Sequence, residues 1–252
     1  MKKKSNIKMK TVLITGAGGF LGKKISHFFK KNKFKLILID KKLLKKNKNQ
    51  DTYRCDFTDE KEREFQFKKI KKKYKSIDLI INNAGYTGSI TDKGWITSFE
   101  RQDLTNWNRA FEVNLNSIFH LIKILKKNLE KSRGRIINIG SIYSIRSPNP
   151  QMYKGLKMSS PAAYSVSKGG LLQLTKWLSI QLAPKVSVNM ISPIGIKRNQ
   201  PKKFLKRYYK SIPMKQMCSE DDIVKVISFL SIDSPKIITG QNIILDGGFS
   251  SI

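Results

Sequence analysis

Short runs of aliphatic and β-branched residues alternate along the chain with longer stretches whose apolar residues recur every three or four positions. The uninterrupted runs read as strands buried on both faces, and the helical recurrence reads as amphipathic helix. On this pattern strands fall at 11–15, 35–40, 52–56, 77–82, 135–140, 187–191 and 242–245. Helices fill the intervals at 19–31, 59–73, 103–131, 163–183 and 220–230, with Ser219 as the N-cap of the last. Strand and helix in strict alternation predict an α/β fold, a doubly wound, seven-stranded parallel sheet with helices on both faces. No Pro/Ser-rich linker or repeat divides residues 1–252, so a single domain is expected. The irregular stretches 85–101, 142–162 and 193–217 all follow strand C-termini, the edge where an open parallel sheet binds its ligands.

Composition narrows the picture. The chain has 252 residues, of which 39% are hydrophobic and 10% aromatic, enough for a sizeable core. No run approaches the ~20 apolar residues of a spanning helix. The basic start leads only into Val12, Leu13 and Ile14 before glycines interrupt, so neither signal peptide nor membrane anchor is expected. Cys55 and Cys218 lie far apart without CxxC spacing or histidine partners, which points away from a disulfide framework or a bound metal and toward a reducing cytoplasm.

The formal net charge is +32, from 50 Lys and Arg against 18 Asp and Glu. Such a balance invites a nucleic-acid reading. Yet 41 of the 50 bases are lysine and 9 are arginine, whereas phosphate and base recognition favours the bidentate guanidinium. Abundant Ile and Asn share AT-rich codons with Lys, so the lysines are read as compositional drift over a solvated surface. The densest run, 68–75, shares its helix with Phe67, Ile70 and Tyr74 at core spacing. No specific nucleic-acid partner is expected; a polyanion-binding protein on this fold is the competing class.

Candidate chemistry begins where the first strand runs into Thr15-Gly16-Ala17-Gly18-Gly19-Phe20-Leu21-Gly22 and then a helix. Glycines there allow a tight turn and close approach of a pyrophosphate to the helix N-terminus. Asp40 closes the second strand 18 residues after Gly22, where a carboxylate accepts both ribose hydroxyls of an adenosine. A 2′-phosphate would be repelled, which favours NAD(H) over NADP(H); the adjacent Lys41 and Lys42 soften the discrimination, so NADP(H) stays open. Tyr164 and Lys168 are four apart on one predicted helical face, so the ammonium can favour the phenolate of an otherwise weak base. Tyr153 and Lys157 repeat the spacing, but Gly155 between them and Pro161 beyond argue against a helix there.

With Asn82-Asn83-Ala84-Gly85, Tyr164-Ser165-Val166-Ser167-Lys168, Thr239-Gly240-Gln241 and Asp246-Gly247-Gly248, the chain resembles the short-chain dehydrogenase/reductase family from Lys10 to Ser250. The resemblance implies one Rossmann-type domain, a nicotinamide cofactor, a homotetramer or homodimer, and interconversion of a secondary alcohol and a ketone. It assigns Tyr164 as acid/base, Lys168 as its electrostatic partner, Ser141 as donor to the substrate oxygen and Asn114 as organiser of a proton-relay water. Cofactor contacts are implied for Gly16, Gly18, Gly19, Phe20, Leu21, Gly22, Asp40, Asp56, Phe57, Asn83, Ala84, Gly85, Tyr164, Lys168, Pro193, Gly195 and Ile196.

Three features depart from the family pattern. Phe20 stands where the single-domain branch usually has glycine. Ser141 and Tyr164 are 23 residues apart, an enlarged spacing that makes 142–162 a wall of the substrate pocket. Pro193-Ile194-Gly195-Ile196 replaces the family's Pro-Gly, and Arg198 stands near a cofactor-binding threonine. The enlarged loop, with Asn199-Gln200-Pro201 and Phe204-Leu205, resembles a subgroup that modifies flagellin and surface glycans. A sugar or nucleotide-sugar substrate, phosphorylated or not, follows from that resemblance, with Tyr153, Trp95, Asn149, Gln151 and Asn199 as polar candidates. An NADPH-linked 3-oxoacyl-carrier reductase is the alternative within the enzyme class, its acidic carrier drawn to the basic surface.

Overall fold

The computed structural model describes residues 10–42, 44–88 and 91–252. Its seven strands are β1 (Thr11–Thr15), β2 (Lys35–Asp40), β3 (Gln50–Arg54), β4 (Leu79–Asn82), β5 (Arg135–Ile139), β6 (Ser187–Pro193) and β7 (Asn242–Leu245). All pair in parallel in the order β3-β2-β1-β4-β5-β6-β7, so the winding reverses between β1 and β4. The seven helices are α1 (Phe20–Lys31), α2 (Glu60–Lys73), α3 (Leu104–Phe111), α4 (Ser117–Ser132), α5 (Ala162–Gln181), α6 (Lys202–Ser211) and α7 (Glu220–Ser228).

Alternate strand residues serve opposite cores, as the pleat requires. Val12, Ile14, Leu36, Leu38 and Ile81 pack with Leu21, Ile25 and Phe29 of α1 and Ile223 and Ile227 of α7. Leu13, Ile37, Ile39 and Ile80 pack with Phe67 and Ile70 of α2, Leu121 and Leu125 of α4, and Leu171 of α5. Strands covered on both faces need no polar alternation, which is why they are continuous in Ile, Leu and Val. Two buried asparagines link neighbouring strands to α5: Asn82 Nδ2 donates to Asn138 Oδ1 (2.7 Å), and Asn138 Nδ2 donates to Thr175 Oγ1 (2.8 Å), while Asn82 Oδ1 has no partner among the described residues. Both thiols are buried, and burial pushes each up to about 12.

Several boundaries differ from the pattern-based expectation; β4 begins at Leu79 rather than 77, and α7 passes into a π-helical turn after Ser228. β3 lies two residues upstream, because its register pairs Leu36 with Gln50 and Asp40 with Arg54. Asp56 therefore falls beyond the strand, in a turn closed by Thr58. The helix expected at 103–131 is broken by a π-helical turn, Glu112–Asn116, between α3 and α4. Buried Arg63 of α2 holds that turn through Glu112 (2.6 Å) and also donates to the Phe57 carbonyl. α6 lies inside the stretch taken as irregular; Phe204 and Tyr208 are its buried face, four apart. β6 runs on to Pro193. Ser219 caps α7 in a reciprocal capping box with Asp222.

Among the described residues no helix is long and apolar enough to cross a membrane, and no three of His, Cys, Asp and Glu converge on a metal site. Asn138→Ala should remove two buried hydrogen bonds and cost about 2 kcal/mol. A melting temperature lowered by about 4–8 °C in a calorimetric scan is the expected result.

Candidate active site

The strand-order reversal opens a crevice at the carboxyl ends of β1 and β4, and the sequence motifs meet there. Thr15 Oγ1 accepts the amides of Asn83 and Ala84, both at 3.0 Å. Asn83 Nδ2 donates back to the carbonyls of Thr15 and Gly16, also at 3.0 Å. Gly16 turns with φ +63°, and a Cβ there would lie 2.7 Å from Ala84 Cα. At Gly22 a Cβ would lie 2.1 Å from the Gly16 carbonyl oxygen, so α1 can start this close to β1 only without a side chain.

Gly18 N donates to Asp40 Oδ2 (2.8 Å) and Lys42 N to Asp40 Oδ1 (2.9 Å). Gly19 is the N-cap of α1, with extended backbone. Phe20 points away from the turn, 75% exposed, with the Arg198 guanidinium 4.8 Å above its ring. Arg198 is itself ion-paired to Glu220. The missing third glycine therefore crowds nothing. Asp56 accepts from Thr58 N (2.9 Å) and Thr58 Oγ1 (2.8 Å). Burial pushes its carboxyl up, but those bonds, with Lys41 and Arg54 nearby, outweigh it and hold the group below the usual range. Phe57 is buried edge-on to Phe67, its ring committed to the core rather than to the cleft.

Leu21, Asn83, Gly85, Ser141, Tyr164, Lys168, Pro193, Gly195 and Ile196 line one cleft of about 400 Å³. A larger depression, about 800 Å³, lies between α4 and α5, but none of the motif residues lines it. The chemistry is therefore assigned to the smaller cleft. Within it Lys168 is 4% exposed, and its Nζ donates to the Ile139 carbonyl at 2.8 Å. Desolvation lowers its pKa to about 8. The ammonium sits 6.0 Å from the centre of the Tyr164 ring. Burial raises the Tyr164 phenol, and a hydrogen bond with Ser141 pulls it the other way. Asn114, fully buried in the π turn, accepts from Tyr86 N (2.7 Å) and donates to Ser167 Oγ (2.9 Å). The expected tyrosine–lysine pair is thus assembled on α5, one turn apart. At the decoy, Gly155 has φ +71° and no helix forms, while Lys157 is exposed.

The polar candidates for substrate divide. Tyr153 lines the cleft, its hydroxyl 2.6 Å from that of Tyr143. Trp95 lines it too, but its Nε1 is spent on the Thr87 carbonyl (2.7 Å), so it shapes a wall. Asn149, Gln151 and Asn199 are exposed and line no part of the cleft. Asn149 instead caps a short turn by accepting from Gln151 N (2.9 Å). Tyr143, Ser159 and Ser160, from the loop expected to wall the pocket, and Gln200 and Tyr208, from the stretch 193–217, also line the cleft, although none was singled out as a contact.

A family model described as enoyl-(acyl carrier protein) reductase matches residues 22–250. The chain belongs to the short-chain dehydrogenase/reductase family. It is an oxidoreductase acting on CH–OH groups with a nicotinamide cofactor. Among its relatives, a 3-oxoacyl-[acyl-carrier-protein] reductase FabG of Buchnera aphidicola is 32% identical, covering 96% of this chain and 98% of that protein. Post-translational flagellin modification protein A of Campylobacter coli is 29% identical over 95% of this chain and 98% of its own length. A short-chain dehydrogenase of Leptospira borgpetersenii, solved with bound NAD+, superposes with a TM-score of 0.85 at 30% identity, covering 96% of this chain and 93% of that one.

The depressed Lys168 pKa has a thermodynamic consequence for this dehydrogenase/reductase. An unfolded lysine keeps its proton up to 10.5, whereas the folded one loses it near 8, so between those values the unfolded chain binds more protons. Stability traceable to Lys168 is therefore lowest below pH 8 and rises through that window. In urea titrations the difference between wild type and Lys168→Met should shift toward wild type by up to about 3 kcal/mol between pH 8 and 10.5. A constant difference would mean that the lysine titrates normally.

Proposed function

We propose that the protein is an NAD(H)-dependent oxidoreductase that interconverts a secondary alcohol and a ketone on a sugar or nucleotide-sugar. The observation that carries the reaction is the buried Lys168 ammonium beside Tyr164 and Ser141 in one cleft. The cofactor cradle fits the chain: Gly16 and Gly22 leave no room for a Cβ, and Gly18 presents its face to Asp40. When bound there, the dinucleotide supplies or accepts the hydride. Tyr164 takes the hydroxyl proton in oxidation and returns it in reduction, Ser141 donates to the same oxygen, and Lys168 favours the phenolate. Asn114 holds the π turn against Tyr86 and Ser167, keeping the floor of the cleft in register with α5.

The NAD(H) preference rests on Asp40. Each carboxylate oxygen already accepts one backbone amide, which fixes the group while leaving lone pairs for ribose hydroxyls. A 2′-phosphate would face that charge. The sugar substrate is supported by the hydroxyl-rich lining and by the flagellin-modification relative. A 3-oxoacyl reductase is the second reading, favoured by the FabG relatives. We further propose self-association through α4 and α5, where Phe119, Trp177 and Ile180 stand 43%, 48% and 74% exposed.

Tyr164→Phe should bind NADH as wild type does by fluorescence titration, with turnover lowered by about 10²–10⁴-fold; retained turnover would overturn the assignment. Asp40→Ser should shift the NADH over NADPH affinity ratio toward NADPH by about tenfold or more. Wild type that already prefers NADPH, and reduces an acetoacetyl thioester, would decide for the second reading.

A further inference from the structure

The enlarged loop before α5 carries two serine hydroxyls that have no role so far. Ser159 Oγ and Ser160 Oγ are each buried and without a hydrogen-bond partner, although both residues line the cleft. Buried hydroxyls are almost always paired in folded proteins, and two adjacent exceptions at a substrate cleft call for a partner the protein does not supply. Their place is fixed. Pro161 follows them as the N-cap of α5, the Tyr164 amide donates to the Pro161 carbonyl (3.2 Å), and the Ala162 amide donates to Gln102 Oε1 (3.0 Å). The serines therefore sit one helical turn before the reacting phenol. Neither hydroxyl is held by a bond of its own, so a change of χ1 rotamer breaks none.

A second hydroxyl-bearing group lies in the same lining. Tyr143 and Tyr153 face each other at 2.6 Å, one donating to the other, which leaves one phenolic proton and several lone pairs uncommitted. Tyr143 stands edge-on to Tyr164, their centroids 6.5 Å apart. Tyr153 packs on Phe204, and Phe204 stacks on Tyr208 at 4.9 Å, so an aromatic wall backs the pair. The loop is anchored from α6: Arg207 donates to the carbonyls of Met152 (3.3 Å) and Lys154 (2.7 Å).

We propose that Ser159 and Ser160, with the Tyr143–Tyr153 pair, form a subsite that hydrogen-bonds a second hydroxyl of the substrate beside the reacting carbon. The subsite selects polyhydroxylated rings over monofunctional alcohols and over acyl chains, whose methylenes would leave the serines unpaired. This inference rests on the proposed alcohol–ketone chemistry and adds the substrate's second recognised group.

The test uses two probes that differ by one hydroxyl, cyclohexanol and trans-cyclohexane-1,2-diol, oxidised with NAD+ by the full-length enzyme. Wild type should favour the diol in kcat/KM by about tenfold or more, and Ser159→Ala/Ser160→Ala should lower that ratio by about tenfold. Tyr143→Phe, read the same way, should also lower it, and an unchanged melting curve confirms that each variant is folded. A wild-type ratio near one, or a ratio that the variants leave unchanged, overturns the subsite while the alcohol chemistry stands. Bound NADH with no turnover of either probe, nor of a panel of sugars and nucleotide-sugars, overturns both.

Discussion

Thr15 Oγ1 accepts the amides of Asn83 and Ala84 and so ties the end of β1 to the residues leaving β4, across the gap where the sheet reverses its winding. The two strands are paired, but the chain leaves them toward opposite faces of the sheet, and their last amides and carbonyls lose ladder partners. The threonine hydroxyl and the Asn83 carboxamide replace those partners within the chain. With that seam closed, Gly16 lies against Ala84, Gly22 against the Gly16 carbonyl, and Gly18 against Asp40. Gly16 is needed because the seam is tight, and Gly22 because α1 starts against the backbone of its own turn.

Much of this was legible because local chemistry and global placement agree. Runs such as Val12 to Ile14 or Leu36 to Ile39 have no reading but a strand covered on both faces, and Ser219 with Asp222 announces a helix start from four residues. The placing of Tyr164 and Lys168, the proposed reacting pair, on one helix was readable too, since the two need only a helical turn between them. The decoy at Tyr153 and Lys157 was excluded by Gly155, which takes a left-handed φ of +71°.

What stayed hidden depends on contacts far apart in sequence. The π turn at Glu112–Asn116 is held by Arg63, 49 residues before Glu112, and no periodicity within 103–131 marks it. β3 is set by its register on β2, so its own composition misplaced it by two residues. Asn149, Gln151 and Asn199 have the polarity expected of sugar contacts yet face outward, because loop residues carry no period that says which side is in. Tyr143, Ser159 and Ser160 do line the cleft, as the wall expected of 142–162 requires, but for the same reason nothing in the sequence picked them out within that loop.

The two buried thiols carry a practical meaning for handling the protein. Held up to about 12, neither Cys55 nor Cys218 offers appreciable thiolate at neutral pH, and neither touches the reacting oxygen or nitrogen atoms. Alkylating reagents therefore have no target while the sheet is intact. Labelling at either sulfur becomes a clock for opening: Cys55 reports the loosening of the α2 face next to β3, and Cys218 the loosening of the segment between α6 and α7.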